Sequence, residues 1–184
     1  MAIQSNRGGQ KVTRQILFRG RKIQVALDTE THPDGQTVTR DVVLHPGAAA
    51  ILPIVDSDHV CLLRNHRPIT GATLWEIPAG TLEPGEPPES AAVRELAEET
   101  GYRAQEWTKL AEFFPSPGVL NERTHLYVAT KLAPGEMRLE RDEDLEPRTI
   151  AWEQAIGWAL DGTIVDAKTL IAILLWDRVG RRQK

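Results

Sequence analysis

Residues 80–102 read GTLEPGEPPESAAVRELAEETGY, a loop rich in glycine and proline followed by a segment with helical periodicity. Gly101 suits the left-handed residue with which helices commonly end. We therefore predict a helix from about Pro88 to Thr100. Apolar positions three or four residues apart predict its buried stripe, which comprises Val93, Leu96, Ala97 and Thr100.

The opposite side of this predicted helix is acidic, because Glu95, Glu98 and Glu99 fall within about one helical turn. Their like charges repel, and the helix dipole disfavours an acid at a C-terminal end by roughly 0.3–1 kcal/mol. A divalent cation reverses both effects, since Mg²⁺, Mn²⁺ and Ca²⁺ take clustered oxygen ligands. These residues alone leave two alternatives open, a metal site and a solvated acidic face with Arg94 as counter-charge.

The spacing of the whole stretch is more specific than its acids. It runs Gly80, five residues, Glu86, seven residues, Arg94-Glu95-Leu96, one residue, Glu98-Glu99, one residue, Gly101-Tyr102. This pattern resembles the Nudix box at every defining position. The resemblance implies a Nudix fold, a loop and helix that bind divalent cations, and hydrolysis at phosphorus in a nucleoside diphosphate linked to another moiety.

The resemblance also assigns roles within the box. The implied metal ligands are the backbone carbonyl of Ala79 and the carboxylates of Glu95, Glu98 and Glu99, with Mg²⁺ or Mn²⁺ as the cofactor. Arg94 is implied to orient the carboxylates, which agrees with its four-residue spacing to Glu98. A bridging cation neutralises diphosphate oxygens and acidifies the attacking water, so we expect Arg94 and Glu98 to contribute to catalysis.

Three features outside the box resemble the ADP-ribose and nucleotide-sugar branch of the family. LWEIPAG, residues 74–80, resembles the strand that enters the box in ADP-ribose pyrophosphatases, which implies that Glu76 and Gly80 bind substrate. Pro117, followed by Gly118, lies fifteen residues after Tyr102, where such enzymes carry a proline. RNHRP, residues 64–68, resembles a segment whose second arginine, here Arg67, clamps a substrate phosphate through paired donors.

Each of these features also has an ordinary structural explanation. Trp75 suits a half-buried core strand, the Ser-Pro-Gly turn is common in itself, and Arg67 suits a surface salt bridge. We expect metal-dependent hydrolysis of ADP-ribose to AMP and ribose 5-phosphate. The alternatives are hydrolysis of GDP-mannose or another nucleotide sugar, removal of oxidised nucleoside triphosphates, and a non-catalytic nucleotide sensor.

The general base in related enzymes comes from a mobile acidic loop well after the box. The matching segment here is residues 140–146, which read ERDEDLE. Such a loop can close over substrate, exclude water and then release product. Glu143 is the favoured base, and Glu140 and Glu146 are its competitors.

Composition narrows the class of partner. The net charge of −4 and the lack of a long basic block argue against a nucleic-acid partner. No stretch approaches 18 consecutive apolar residues, so we expect no membrane insertion. The single cysteine, Cys61, excludes a disulfide framework and suits a buried thiol in the reducing cytoplasm.

The order of predicted elements indicates an α/β fold, an α/β/α sandwich with a mixed central sheet and an added N-terminal antiparallel sheet. Residues 1–44 are expected to form an arm and sheet that serve dimerisation and the substrate pocket, and residues 45–184 the hydrolase domain. In the ADP-ribose hydrolases that the chain resembles, such an N-terminal extension packs against a second subunit, so the resemblance implies a homodimer. The predicted strands are 15–18, 22–27, 37–43, a hairpin of 48–55 with 60–63 in the central sheet, 75–77, 107–114 and 124–130, followed by an acidic loop 135–147 and helices 152–160 and 166–179.

Overall fold

The computed structural model describes residues 3–5, 11–139 and 144–180. Contacts within the chain divide them into two compact units. The first contains the described residues before Ala48 together with Phe114–Arg123, and the second contains the rest. The functional division predicted at residue 44 stays a prediction.

The first unit is a four-stranded antiparallel sheet in the order β1-β2-β3-β4. The Phe114–Arg123 segment joins this sheet, because Val43 N donates to Val119 O at 2.7 Å. The predicted N-terminal antiparallel sheet is thus confirmed, with longer strands than expected. Its strands are β1 (Ile3–Ser5), β2 (Lys11–Arg19), β3 (Gln24–Thr31) and β4 (Thr37–Leu44).

The second unit is built on β5 (Ala48–Pro53), which pairs parallel with β10 (Thr124–Pro134) and antiparallel with β8 (Ala79–Thr81). The long strand β9 (Tyr102–Phe113) pairs antiparallel with β10, which gives the order β8-β5-β10-β9. The predicted mixed central sheet is confirmed. The short strand β8 lies inside the segment that we predicted as a loop.

A second sheet in this unit has β6 (His59–Arg67) between β7 (Ala72–Glu76) and β11 (Leu145–Ala151), all antiparallel. The prediction of a β5–β6 hairpin in the central sheet is therefore wrong. A single bridge joins Ile54 to Val60, and the two strands then pair in different sheets. Strand β11 begins inside the predicted acidic loop, where alternating apolar residues that would have indicated it are absent.

Helices cover both sides of the mixed sheet. Successive side chains of β5 point to opposite faces and pack in two different clusters. Ala49 and Ile51 pack with α1 (Pro88–Thr100), while Ala50 and Leu52 pack with β6 and with the helices α2 (Trp152–Asp161) and α3 (Ala167–Val179). This alternation is what a strand buried on both faces requires. The expected α/β/α arrangement is confirmed, and α1 is the helix that the box predicted.

The predicted buried stripe of α1 is wrong in part. Leu96 is buried as expected, but the side chain of Val93 is exposed and those of Glu95 and Glu99 are buried. The packed face contains Ala91, Ala92, Glu95, Leu96 and Glu99, which recur at helical spacing. The pattern of apolar residues predicted a face rotated by about one position from the observed one, because two residues of the observed face are acids.

The ends of the helices agree with the sequence. Gly101 ends α1 in the left-handed region at φ 72°, and Asp166 caps α3 by accepting a hydrogen bond from Thr169 N. Both features were predicted from the sequence and are confirmed. In the parts of the chain that the structure describes, no helix is long and apolar enough to cross a membrane.

Candidate active site

The acidic end of α1 packs against strand β8. Glu95 and Glu99 are 7% and 4% exposed, so both carboxylates are buried although neither lies in an apolar stripe. Oε2 of Glu99 accepts a hydrogen bond from Ala79 N at 2.9 Å. This bond fixes the residue before Gly80 to the helix, which brings the predicted ligands Ala79 and Glu99 together.

Gly80 leaves the space that the Glu95 carboxylate occupies. A Cβ built on Gly80 would lie 1.8 Å from Oε1 of Glu95 and 2.0 Å from its carboxyl carbon. Real Cβ contacts do not approach this closely, so any side chain at position 80 displaces Glu95. The glycine is required here by close approach between the strand and the helix.

Arg94 joins three of the box acids. Its Nη1 donates to Oε1 of Glu95 at 2.6 Å and to Oε2 of Glu98 at 3.1 Å, while Nε and Nη2 donate to the two oxygens of Glu86. The hydrogen bond to Glu86, followed by the charge of Glu95, raises the pKa of Arg94 above its ordinary value. Arg94 therefore remains charged and holds Glu95 and Glu98 on one side of the helix.

The donor set suits a hard divalent cation, because three carboxylates contact the Arg94 guanidinium and a fourth, that of Glu99, accepts from Ala79 N. Two of the four acids, Glu95 and Glu99, are buried. Within the described ranges no three acidic or histidine side chains already converge on one point as metal ligands. Arg94 and Ala79 N hold the carboxylates instead. The acids thus supply oxygen ligands of the right chemistry, in an arrangement stabilised by protein hydrogen bonds.

A second charged group lies at the end of β6 and β7. Arg67 forms a two-point contact with Glu76, with Nε to Oε1 at 2.8 Å and Nη2 to Oε2 at 2.6 Å. Burial opposes ionisation of Glu76, which is 1% exposed, but the hydrogen bond from Arg67 and the charge of Lys168 outweigh it and lower its pKa. The predicted substrate residues Arg67 and Glu76 are therefore in direct contact.

Lys168 is the partner of Glu76 that we did not predict. Its Nζ donates to Oε2 of Glu76 at 2.6 Å, although the two residues are 92 positions apart in the sequence. A separation of that size leaves no local pattern to find. The only sequence signal nearby was the N-cap at Asp166, which placed the first turn of α3 correctly.

The acidic loop is described only at its two ends. Arg138 N donates to Glu98 O at 2.9 Å, and His66 N donates to Asp144 O at 2.8 Å. The favoured base Glu143 and its competitor Glu140 lie outside the described residues. The other competitor, Glu146, lies on β11 and its carboxylate contacts Arg148.

The remaining predicted substrate residues belong to the first unit. Pro117 and Gly118 form a turn in which Leu120 N donates to Ser116 O at 2.9 Å. Their role in substrate binding stays a prediction. Trp75 stacks on Trp158 with 4.8 Å between ring centroids, which is a packing role for the residue beside Glu76.

Known proteins match this chain over most of its length. The model of the NUDIX domain matches residues 44–172. An ADP-ribose pyrophosphatase of Bacillus subtilis (strain 168) is 37% identical over 88% of this chain and 89% of its own. A methanol dehydrogenase activator of Bacillus methanolicus is 38% identical over 88% of each chain.

A solved structure supports the fold independently. The crystal structure of an ADP compounds hydrolase superposes with a TM-score of 0.83, covering 98% of both chains at 23% identity. At that identity the likeness concerns the fold alone. The domain match and the Bacillus subtilis relative, with the complete box on β8 and α1, show that the chain belongs to the Nudix family.

Proposed function

We propose that the chain hydrolyses the diphosphate of ADP-ribose to AMP and ribose 5-phosphate. The observation that carries this proposal is the pairing of an acidic box helix with an arginine, Arg67, whose guanidinium is held in place by a buried carboxylate. The first group suits a cation and the second suits a phosphate. The name of the Bacillus subtilis relative supports ADP-ribose as the substrate.

A divalent cation is the cofactor, and we propose Mg²⁺ or Mn²⁺. Glu95, Glu98 and Glu99, with the carbonyl of Ala79, would hold it. When bound, the cation supplies neutralisation of the diphosphate oxygens and a more acidic water. Arg94 orients Glu95 and Glu98 for this purpose through its two Nη1 hydrogen bonds.

Arg67 is proposed to bind the diphosphate directly. Its two-point contact with Glu76 uses Nε and Nη2, which leaves Nη1 outside that contact. The side chain is 45% exposed, unlike that of Glu76. Gly80, Pro117 and Gly118 stay proposed substrate contacts, and Glu143 stays the proposed base.

The test is turnover of ADP-ribose and GDP-mannose with Mg²⁺, with Mn²⁺ and with EDTA, using chromatography to identify products. We expect AMP and ribose 5-phosphate from ADP-ribose only when a divalent cation is present. Faster turnover of GDP-mannose would make another nucleotide sugar the substrate class. Binding of ADP-ribose without any turnover in either metal would contradict catalysis and favour the sensor.

We also propose that the chain forms a homodimer through its N-terminal sheet. Leu17 and Phe18 on β2 are 55% and 58% exposed, and large exposed apolar side chains are candidates for an interaction surface. We expect sedimentation velocity to show a dimer, and Leu17→Glu to convert it to a monomer. Leu160→Glu, a change at an exposed leucine of α2, is the control. A monomeric wild type would refute the proposal.

A cytoplasmic location is proposed from Cys61. The thiol is 1% exposed and burial raises its pKa to about 12, so it stays protonated and unreactive in a reducing compartment. Fractionation of the native cells checks this, since the protein should be recovered with the cytoplasmic contents, and its recovery from another compartment would refute the proposal.

A further inference from the structure

We infer that Lys168 is a positioning residue for substrate binding, because its ammonium group holds Glu76 in the orientation in which Glu76 holds Arg67. The inference rests on the proposed function, since it takes Arg67 as the ligand of the diphosphate. Within the described part of the chain, Lys168 donates hydrogen bonds to two acids, Glu76 and Asp166. It therefore acts through another residue.

The Glu76 carboxylate is held by both Arg67 and Lys168. Oε2 of Glu76 accepts from both Arg67 Nη2 and Lys168 Nζ, each at 2.6 Å, and Oε1 accepts from Arg67 Nε at 2.8 Å. The plane of the carboxylate is thereby fixed by three donors from two directions. A guanidinium meets a carboxylate in a two-point contact only when the two planes are aligned, so fixing one group fixes the other.

The first turn of α3 makes Lys168 a rigid support. Asp166 caps this turn, accepting from Thr169 N at 3.0 Å, and its other oxygen accepts from Lys168 Nζ at 2.9 Å. Thr169 Oγ1 accepts from Ile77 N at 2.8 Å, in the residue directly after Glu76. The first turn of α3 therefore hydrogen-bonds to the side chain of Glu76 and to the backbone of Ile77, at the end of β7.

The charges around Glu76 are balanced, and Lys168 supplies part of that balance. Arg67, Glu76, Lys168 and Asp166 carry two positive and two negative charges in contact with one another. Loss of the lysine charge leaves a net negative charge around a buried carboxylate, which draws Arg67 more tightly toward protein. The guanidinium then offers less attraction to a diphosphate.

Arg67 is connected to the box through the end of β7. Its partner Glu76 lies three residues before Ala79, whose N donates to Oε2 of Glu99 on the box helix at 2.9 Å. The hydrogen bond to Glu76, and the negative charges of Glu76, Glu99 and Asp166, raise the pKa of Arg67 above its ordinary value, so the guanidinium stays charged. The proposed function places the diphosphate between this arginine and the box helix.

The experiment is a double-mutant cycle of Lys168→Met and Glu76→Gln, measuring kcat and KM for ADP-ribose with Mg²⁺ and the Kd for ADP-ribose with EDTA. We expect Lys168→Met to raise KM about tenfold and to change kcat by less than about threefold, as loss of uniform binding does. In the Glu76→Gln background the same change should raise KM less than about twofold. The double variant buries no unbalanced Glu76 charge, which favours its folding.

Two controls separate positioning from general damage. Lys109→Met removes another ion-paired lysine, on β9, and should leave KM unchanged. Thermal unfolding of each variant measures its stability. If Lys168→Met does not fold, Lys168→Gln, which keeps a hydrogen-bond donor, replaces it in the same cycle. An equal rise in KM in both backgrounds would overturn the inference, as would a loss confined to kcat. Absence of turnover in the wild type would instead refute the proposed function.

Discussion

The Glu99→Gln protein is expected to hydrolyse ADP-ribose about a thousandfold more slowly than the wild type, a loss of about 4 kcal/mol of transition-state stabilisation. The amide oxygen of a glutamine can still accept the hydrogen bond from Ala79 N, so the contact between β8 and α1 survives. The charge that would bind a cation does not survive. Steady-state kinetics over a range of Mg²⁺ concentrations measure the effect.

The same helix offers a matched control. Glu89 is exposed in the first turn of α1, at the end where the helix dipole favours an acid, and Glu89→Gln removes one carboxylate charge there. It should retain wild-type kcat and metal dependence and lose only a few tenths of a kcal/mol of stability. A wild-type rate in both variants would contradict a ligand role for Glu99, and equal slowing of both would show that net charge alone matters.

The box was the most informative part of the sequence. It predicted the helix and the side chains of the candidate site, whereas patterns elsewhere predicted some strand pairings wrongly. The loop, the helical periodicity and Gly101 in residues 80–102 predicted α1 at about its observed bounds, and the spacing of Arg94 and Glu98 indicated that they would be neighbours, because four positions make about one turn. Hydrophobic periodicity failed in the same helix, where Glu95 and Glu99 take buried positions. A buried acid beside a glycine is a tertiary arrangement, and apolar patterning contains no signal for it.

Long-range pairing was the other part that local patterns did not predict. Two apolar runs separated by the polar residues 56–59 favoured a β5–β6 hairpin, yet β5 pairs with β10, some 70 residues later in the chain. The contact of Glu76 with Lys168 is of the same kind. The β5–β10 pairing and the Glu76–Lys168 contact both depend on how the sheets pack. Neither leaves a repeating pattern of residues that one sequence alone would show.

The Gly80→Ala protein should lose at least about a hundredfold in kcat/KM and about 1–3 kcal/mol in stability. The added methyl would overlap the Glu95 carboxylate, with all three of its terminal atoms within 2.5 Å. Because β8 pairs with β5 at Gly80, the strand cannot easily retreat, so the carboxylate must leave its place. Steady-state kinetics and chemical denaturation measure the two losses.

A second substitution distinguishes displacement of Glu95 from damage to the strand. Gly80→Ala with Glu95→Ala removes the overlapping atoms, so stability should return toward that of Glu95→Ala alone while activity stays low, because a metal ligand is gone. Gly157→Ala is the control for the glycine change itself: this glycine lies in α2 with nothing within 4 Å of an added Cβ, and the substitution should add about 0.5–1 kcal/mol of stability. Wild-type kcat/KM in Gly80→Ala would mean that the position of the Glu95 carboxylate is not needed for catalysis, and the box would then require a different set of ligands.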